Sequence, residues 1–398
     1  MPKRILQITH KPAYPAIDGG CLEMAKMTQF YQENLEFDLS VFTIGTEKHP
    51  FDSTEFKKAN LLPEQVTHVA TQIKPTFLGG MIALITGKSY NLSRFRTQEI
   101  TSKLTELIRS QKFDLIQFES VYSAQLYAIA LQYSQAKLIL SAPNVEFQLW
   151  EQYAQQAMWP KKILFNYLAK KLKEEEIRIW QEMDGIFTIT PQVSETIVKH
   201  VDCPISTLPF FVKMNNYTLS KPSNSLPSFF HIGAMDWKPN LEGVTWFVNN
   251  VWQKINFTNP LHLAGKGMDH SIFSSLMVQE HGFVENALTF MNAHDVMIVP
   301  LLSGSGMRIK IIEAMALGKC VVSTSLGAEG IDYQANQNII IANTAQEFIE
   351  TLTELNTHPE RISFIGSNAR KLISDKYSDK QLNKEILPFI HSVLTLEK

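Results

Sequence analysis

Short apolar runs alternate with helical patterns along the whole chain. In the first half, the apolar runs predict strands at 4–9, 37–43, 115–119, 137–141 and 185–190. Short buried strands separated by helical segments are typical of a parallel sheet in an α/β domain. The first half is therefore predicted to contain one such sheet.

The same alternation restarts in the second half. It predicts strands at 228–232, 261–264, 282–284, 296–300, 321–324 and 338–341, joined by helices near 242–254, 308–317 and 345–355. Prolines and serines gather between 204 and 227, where they favour a linker. The pattern predicts an α/β fold with two Rossmann-like, doubly wound domains facing across a cleft, and with ligands at the carboxyl ends of the strands.

A strand end, a glycine loop, a helix with one carboxylate and a second strand follow one another within residues 299–333. The glycines of Gly304-Ser305-Gly306 allow the backbone to approach a ligand without a Cβ in the way. The first N–H groups of the following helix have no partner inside the helix, and they suit a phosphate or a sugar oxygen. The segment is predicted to bind an anionic ligand.

Composition narrows the classes of partner. Lys and Arg number 37 against 39 Asp and Glu, so the net charge of −2 gives no field that would attract nucleic acid. Three cysteines, Cys21, Cys203 and Cys320, lie far apart, as expected in a reducing compartment. The longest lightly charged run, 77–87, is about half of what a bilayer span needs. We expect a soluble, cytoplasmic protein.

A long amphipathic helix is predicted at 161–182. Its lysines suggest peripheral membrane contact, but Glu174, Glu175 and Glu176 offset them, and a solvated helix face is the commoner explanation. Membrane contact is therefore not indicated.

Several sequence signatures are absent. Neither GxGxxG nor GxxxxGK(S/T) occurs, which removes the main support for a dinucleotide site or a P-loop. HExxH, GxSxG and Asp-x-Asp are absent as well, so a zincin, an α/β-hydrolase and a transferase built on an Asp-x-Asp metal all lack their signature. The sequence implies no metal.

Several blocks of the sequence resemble the retaining GT-B glycosyltransferases of family 4, also called group 1. Residues 230–240 are similar to the family's first C-terminal strand and turn, 282–284 to its base-side loop, and 300–330 to its donor segment. The first half offers less: a glycine loop at 18–20 and the sequence at 144–146.

The resemblance implies that the chain has three parts. They are an N-terminal acceptor-side domain at 1–206, a C-terminal nucleotide-sugar donor domain at 207–380, and a helix at 381–398 that returns to the N-terminal domain.

The resemblance also implies site residues. Arg308 and Lys310 would be catalytic, because cations stabilise the charge that grows on a leaving diphosphate. Glu313 would accept hydrogen bonds from the ribose. Further donor contacts are implied at Gly304, Ser305, Gly306, Met307, Gly20, Lys238 and Val284, and acceptor-side contacts at Asn144 and Glu146.

Plainer roles remain open for several of these residues. Glu313 could simply pair with Lys310, three positions earlier on the helix. Arg308 could be solvated in the first helical turn, and Lys238 could lie at the surface. Asn144 could form an Asx turn. His231 and Trp237 fit packing roles better than chemistry.

Three departures from the family pattern stand out. Ser305 lies where the first of two glutamates eight positions apart is usual, which leaves Glu313 as the only acid of the pair. Pro143 replaces a histidine that is expected to contact the donor sugar or its phosphate. Met235 and Asn240 lie near the places of the usual arginine and lysine.

We expect sugar transfer from a UDP- or GDP-sugar to a hydroxyl acceptor such as a glycan, a lipid-linked sugar or a small molecule. The resemblance implies retention of configuration, no metal and no further cofactor. Two alternatives remain: a sugar-nucleotide epimerase or phosphorylase on the same fold, and a degenerate protein that binds a nucleotide sugar or a glycosyltransferase partner without turnover. Ser305 and Pro143 favour the second alternative.

Overall fold

A computed structural model of the protein describes residues 1–73, 76, 87–219, 226–268, 273, 277–304 and 306–396. The chain divides into two compact units, Met1–Leu208 with Ile386–Lys398, and Pro209–Glu385. Residues 220–225 of the expected linker and 77–86 of the lightly charged run lie outside the described residues.

The first unit is built on a parallel sheet. Its described strands are β1 (Lys3–Thr9), β2 (Phe37–Gly45), β3 (Val66–Ala70), β4 (Leu115–Phe118), β5 (Lys137–Ala142), β6 (Gly185–Thr188) and β7 (Ile205–Thr207). They pair in the order β3-β2-β1-β4-β5-β6-β7. The five predicted strands are confirmed with small differences at their ends, whereas the sequence pattern does not predict β3 and β7.

Helices connect these strands. Those described are α1 (Gly19–Glu33), α2 (Ser53–Lys58), α3 (Tyr90–Ser93), α4 (Gln98–Ser110), α5 (Val121–Ala124), α6 (Tyr127–Tyr133), α7 (Glu146–Gln156), α8 (Lys161–Gln181) and α9 (Pro191–Ile197). Ile100 and Leu104 of α4 and Leu172 of α8 join the buried side chains of β1, β4 and β5 in one core. The long helix predicted at 161–182 is confirmed as α8.

The second unit repeats the plan. Its described strands are β8 (Phe229–Ile232), β9 (Leu261–Ala264), β10 (Val278–Gly282), β11 (Val296–Val299), β12 (Cys320–Ser323) and β13 (Ile340–Ile341). They are parallel and pair in the order β10-β9-β8-β11-β12-β13. The described helices are α10 (Lys238–Asn250), α11 (Ala287–Asn292), α12 (Ile309–Ala316), α13 (Ala345–Thr357) and α14 (Pro359–Lys376).

One predicted strand of this unit is wrong. The pattern predicts it at 282–284, but β10 spans Val278–Gly282. Only Gly282 of the predicted run lies in a strand. The pairing register shifts between Glu280 and Gly282, and Gly282 has a φ of +62°. This left-handed backbone directs the chain out of the sheet, and Phe283 is 72% exposed.

The helix expected at the end of the chain is confirmed as α15 (Asp379–Thr395). It begins in the second unit, and its residues from Ile386 onward belong to the first. There Phe389 and Val393 pack so closely over Gly185 that a Cβ on this glycine would lie 2.7 Å from Val393 Cγ2. None of the helices in the described part of the chain combines the length and apolarity needed to cross a bilayer.

Two glycines fix the position of α12. Gly318 ends the helix with a φ of +71°, and Gly366 of α14 packs directly on it. A Cβ on Gly366 would lie 2.0 Å from the carbonyl oxygen of Gly318, which is backbone and has little freedom to move. This contact holds α14 against the helix that starts at the glycine loop.

Replacing Gly366 with alanine tests the contact. Alanine is favoured over glycine in an open helix by about 1 kcal/mol, so a stabilising effect would be expected without the contact. We expect destabilisation by about 1–3 kcal/mol, because the added methyl group overpacks the interface. Thermal and urea unfolding of Gly366→Ala are compared with Ser367→Ala, its exposed neighbour. Equal stability of the two variants would contradict the prediction.

Candidate functional site

The glycine loop lies between β11 and α12, at the carboxyl edge of the second sheet. β11 is buried along its whole length, and Arg308 is the N-cap residue of α12. β8 and β12 flank β11 in the sheet, so the turns that follow these three strands meet at the same edge. The predicted crossover from strand through loop to helix is therefore present.

Both glycines of the loop have backbone conformations that favour glycine. Gly304 has a φ of +105° and Gly306 a φ of +88°, in the region that strongly favours glycine. A Cβ on Gly304 would lie 3.0 Å from Arg308 Nη2 and 3.1 Å from the Trp237 ring. Ser305, predicted to contact the donor, lies outside the described residues.

Arg308 packs into the loop. Its Nη1 donates to the carbonyl oxygen of Gly306 at 2.7 Å, and its guanidinium lies over the Trp237 ring, 5.1 Å from the centroid. Burial lowers the pKa of Arg308, against which the charge of Glu329 acts. Arg308 is therefore packed against the loop and Trp237, and the alternative of a solvated arginine in the first helical turn is wrong.

Glu329 and Trp237 were not assigned to the site by the sequence pattern. Glu329 follows β12, and its carboxylate accepts the Gly306 N–H at 3.1 Å. Trp237 follows β8 and contacts the glycine loop, which makes it a site residue as well as a packing residue. A local motif could not reveal either contact, because three separate segments supply them.

The Lys310 and Glu313 side chains form an ion pair, with Nζ and Oε2 2.7 Å apart. Glu313 is buried within α12, while Lys310 is about one third exposed. Burial and the neighbouring Glu313 carboxylate raise the pKa of Tyr217, which also hydrogen-bonds to that carboxylate. The spacing of three residues predicts the ion pair, but the tyrosine comes from a distant segment.

Lys238 and Val284, two of the remaining donor-side residues of this unit, are less closely connected to the loop. Lys238 is exposed and pairs with Glu242 at 3.3 Å on the same helix. Val284 is half-buried beyond β10, which lies three positions from β11 in the strand order. Met307 is half-buried within the loop itself. The predicted site residues that are described in this unit and grouped at the start of α12 are the donor residues Gly304, Gly306, Met307 and Glu313 and the catalytic residues Arg308 and Lys310.

In the first unit, Gly20 lies at the start of α1. Lys11 Nζ contacts both carboxylate oxygens of Asp18, at 2.7 and 2.8 Å, and a Cβ on Gly20 would lie 3.0 Å from the same Nζ. His49 Nε2 is 3.0 Å from Oδ2 of Asp18, one of the two oxygens that Lys11 contacts. Burial acts to raise the pKa of Asp18, but Lys11 and the N–H of Cys21 hold it well below its usual range.

Glu146 begins α7, beyond the end of β5 at the same sheet edge. Its Oε2 accepts the Tyr122 hydroxyl at 2.8 Å, and burial raises its pKa while this hydrogen bond opposes the shift. The buried Glu176 accepts the backbone N–H groups of Glu146 and Phe147, at 3.0 and 2.9 Å. Asn144 is half-buried beside them. Glu146 is therefore not the exposed acid that the sequence left open.

A further carboxyl group lies at the end of β4. Glu119 is 6% exposed and accepts from Gln7 Nε2 at 2.7 Å and from Gln117 Nε2 at 2.8 Å. Burial raises its pKa to about 7, although these hydrogen bonds act in the opposite direction. A carboxyl group that titrates near neutral pH can hold or release a proton, and the sequence pattern gives no sign of it.

A family model matches part of the second unit, and a known protein matches almost the whole chain. Residues 227–358, in the second unit, match the family model described as glycosyl transferases group 1. The uncharacterized 44.6 kDa protein in the cps region of Klebsiella pneumoniae is 21% identical over 403 residues, 97% of this chain and 99% of its own.

Solved structures share the fold over almost the whole chain. Sucrose-phosphate synthase from Thermosynechococcus elongatus has a TM-score of 0.72 at 13% identity, covering 98% of this chain and 99% of its own. HepE from Anabaena, in complex with UDP, has a TM-score of 0.69 at 14% identity, covering 98% and 100%. TarM from S. aureus, in complex with fondaparinux, alpha-GlcNAc-glycerol and UDP, has a TM-score of 0.65 at 12% identity, covering 99% and 100%.

These likenesses establish the two-domain α/β fold of GT-B glycosyltransferases. Together with the family-model match over residues 227–358 they support glycosyl transfer as the class of activity.

A double-mutant cycle tests the packing of the loop. Arg308→Met and Glu329→Gln each remove one of two opposite charges that converge on Gly306, so the second removal costs less than the first. We expect a coupling free energy of about 1 kcal/mol in denaturant unfolding. The exposed pair Lys238 and Glu242, replaced in a parallel cycle, should couple more weakly. Additive effects of Arg308→Met and Glu329→Gln would contradict the prediction.

Proposed function

We propose that this protein is a retaining glycosyltransferase that moves a sugar from a UDP- or GDP-sugar to a hydroxyl acceptor, without a metal at the diphosphate or another cofactor. The observation that carries the proposal is the loop at Gly304 and Gly306, held by the half-buried Arg308 at the start of α12. It lies inside the segment that matches the family model. The complexes of HepE with UDP and with UDP-glucose favour UDP as the nucleotide.

The proposed mechanism depends on charge held at the start of α12. As the glycosidic bond breaks, negative charge grows on the diphosphate, and Arg308, Lys310 and the N–H groups at the helix start would stabilise it. Gly304, Ser305, Gly306 and Met307 would supply backbone contacts. Arg308 suits this role because burial strengthens its electrostatic interactions and its packing on Trp237 limits its motion.

The base and ribose would bind nearby. Glu313 is proposed to accept hydrogen bonds from the ribose, and Val284 to border the base. Because Glu313 already pairs with Lys310, a ribose hydroxyl would use the remaining acceptor positions of its carboxylate. Lys238, which is exposed, would reach the donor only after leaving Glu242.

We assign the acceptor side to the first unit. Asn144 and Glu146 lie at the carboxyl edge of its sheet, where the half-buried Glu146 could orient an acceptor hydroxyl. Gly20, at the start of the helix that follows β1, is proposed to offer backbone contacts to the donor phosphate. A glycan or lipid-linked sugar is the proposed acceptor class, and the cytoplasm the proposed location.

Direct binding and turnover test the proposal. The full chain is titrated calorimetrically with UDP, GDP and a panel of their sugar derivatives, and nucleotide release is followed with simple sugar and glycan acceptors. We expect one nucleotide to bind and its sugar derivative to be turned over slowly even with water as acceptor. Absence of both binding and release across the panel would refute the proposal, and binding without release would favour a degenerate nucleotide-sugar binder.

Replacing Arg308 separates a catalyst from a binder. If Arg308 acts on the leaving group, Arg308→Ala should lower kcat by roughly 100-fold or more, the scale found for loss of one preorganised charge-stabilising group. Nucleotide affinity should fall by less, because the charge is largest in the transition state. Lys371→Ala, an exposed lysine on α14, is the control. Equal losses of kcat and affinity would contradict a transition-state role.

A ribose role for Glu313 is tested with a deoxy ligand. Glu313→Gln should weaken UDP or GDP binding by roughly tenfold, the loss expected for a charged hydrogen bond. The matching 2′,3′-dideoxynucleotide should bind the variant and the parent protein equally well, because it lacks the hydroxyls in question. Loss of affinity for both ligands would assign Glu313 to the structural pair with Lys310 instead.

A further inference from the structure

Three histidines of the second unit meet on one side of its sheet. His262 lies in β9, His281 in the neighbouring β10, and His294 directly after α11. One ring nitrogen of each lies within 4.8 Å of the others, and His262 Nδ1 is 3.0 Å from His281 Nε2. No part of the proposed sugar transfer uses these residues.

The separations suit a shared metal ion. Zinc binds imidazole nitrogens at about 2.0–2.1 Å, which places two such nitrogens about 3.3 Å apart in a tetrahedral site. His262 and His281 are already near this separation, and small rotations would bring in His294. An ion there would replace the proton shared between His262 and His281.

The surroundings hold the rings in place. The His294 ring lies 4.2 Å from the His262 ring, 4.8 Å from Phe290 and 5.6 Å from Phe230, measured between centroids. His294 is buried and His281 is exposed. The cluster therefore has a rigid inner wall and an opening to solvent.

A charged side chain that opposes a cation here is Lys319, which acts electrostatically on His294. Its Nζ donates to the carbonyl oxygen of Asn292 at 3.0 Å, and the charge of Asp295 acts against it. Neutral imidazole is the form that binds metals.

We propose that His262, His281 and His294 form a site for zinc or a similar late first-row divalent metal. Three imidazoles favour such ions over magnesium and calcium, which prefer oxygen ligands. With three protein ligands, a tetrahedral ion keeps one position for water or an external ligand. The proposed sugar transfer uses none of the three histidines, so the metal site does not depend on the proposed function.

Another cluster, in the first unit, fits a metal less well. Asp18, Cys21 and His49 also bring three potential ligand atoms together. Lys11, however, occupies both oxygens of Asp18, and burial raises the pKa of the Cys21 thiol to about 11, so its metal-binding thiolate form is disfavoured. The histidine cluster has neither obstacle.

A metal at the histidines would join three segments. It would link β9, β10 and the end of α11, and His281 immediately precedes Gly282, where the chain leaves the sheet. The metal would then anchor the end of β10, from which the exposed turn starts. Metal binding is therefore expected to raise the thermal stability of the second unit, because a ligand that binds only the folded state stabilises it.

Metal titration of the full chain without an oligohistidine tag tests the site. Zn²⁺ is followed by calorimetry, Co²⁺ by its visible absorption, and Mg²⁺ serves as the negative probe. We expect one Zn²⁺ per chain, tetrahedral Co²⁺ bands and no heat from Mg²⁺. His281→Ala, at the exposed ligand, should weaken Zn²⁺ binding by more than the roughly 10–100-fold that loss of an outer-shell partner costs. His358→Ala, an exposed histidine of the same unit, is the matched control.

Two histidine variants provide the results that would contradict the metal site. Circular dichroism and thermal unfolding in chelator establish that His281→Ala and a second variant, His262→Gln, are folded. Zn²⁺ affinity that is unchanged in both variants, or reduced equally in His358→Ala, would overturn the proposal. Binding of several Zn²⁺ ions without saturation at one per chain would overturn it as well.

Discussion

The loop before α12 depends on one buried guanidinium. Arg308 donates to the carbonyl of Gly306, covers the Trp237 ring and lies near the carboxylate of Glu329, which in turn accepts the Gly306 N–H. The two polar groups of one glycine are thus held by opposite charges from two different segments. This arrangement keeps Gly304 and Gly306 in left-handed backbone conformations immediately before a helix N-terminus. The proposed role of that terminus in binding an anion depends on where these charges hold the turn.

How far the fold follows from sequence depends on where each strand lies in its sheet. Central strands are buried on both faces and form continuous apolar runs, which is why β1, β5 and β11 are predictable. The strands that the pattern misses or misplaces, β3, β7 and β10, each lie at a sheet edge. β10 alternates between exposed and partly exposed residues, and β3 buries one residue in five. Such strands carry little hydrophobic signal.

The candidate site was predictable only where its contacts are local. The glycine loop, Arg308 and the Lys310–Glu313 pair lie within ten residues, so spacing and helix geometry reveal them. Trp237, Tyr217 and Glu329 reach the same place from other segments, Trp237 and Glu329 through the pairing of β8 and β12 with β11. Their residue types carry no signal without this topology. Burial is equally invisible in sequence, and it is burial that turns Arg308 from a solvated cation into a packed one.

The structure supplies a carboxylate beside position 305 even though the sequence has no glutamate there. In sequence, Ser305 leaves Glu313 as the only acid of the pair. In the fold, Glu329 supplies a carboxylate to the next residue, Gly306, from across the sheet edge. A charge at this place does not have to come from the loop, because the parallel order of β11 and β12 brings the following turn beside it. The loop can therefore hold a neutral residue at 305 and still have an acid, Glu329, whose charge balances that of Arg308.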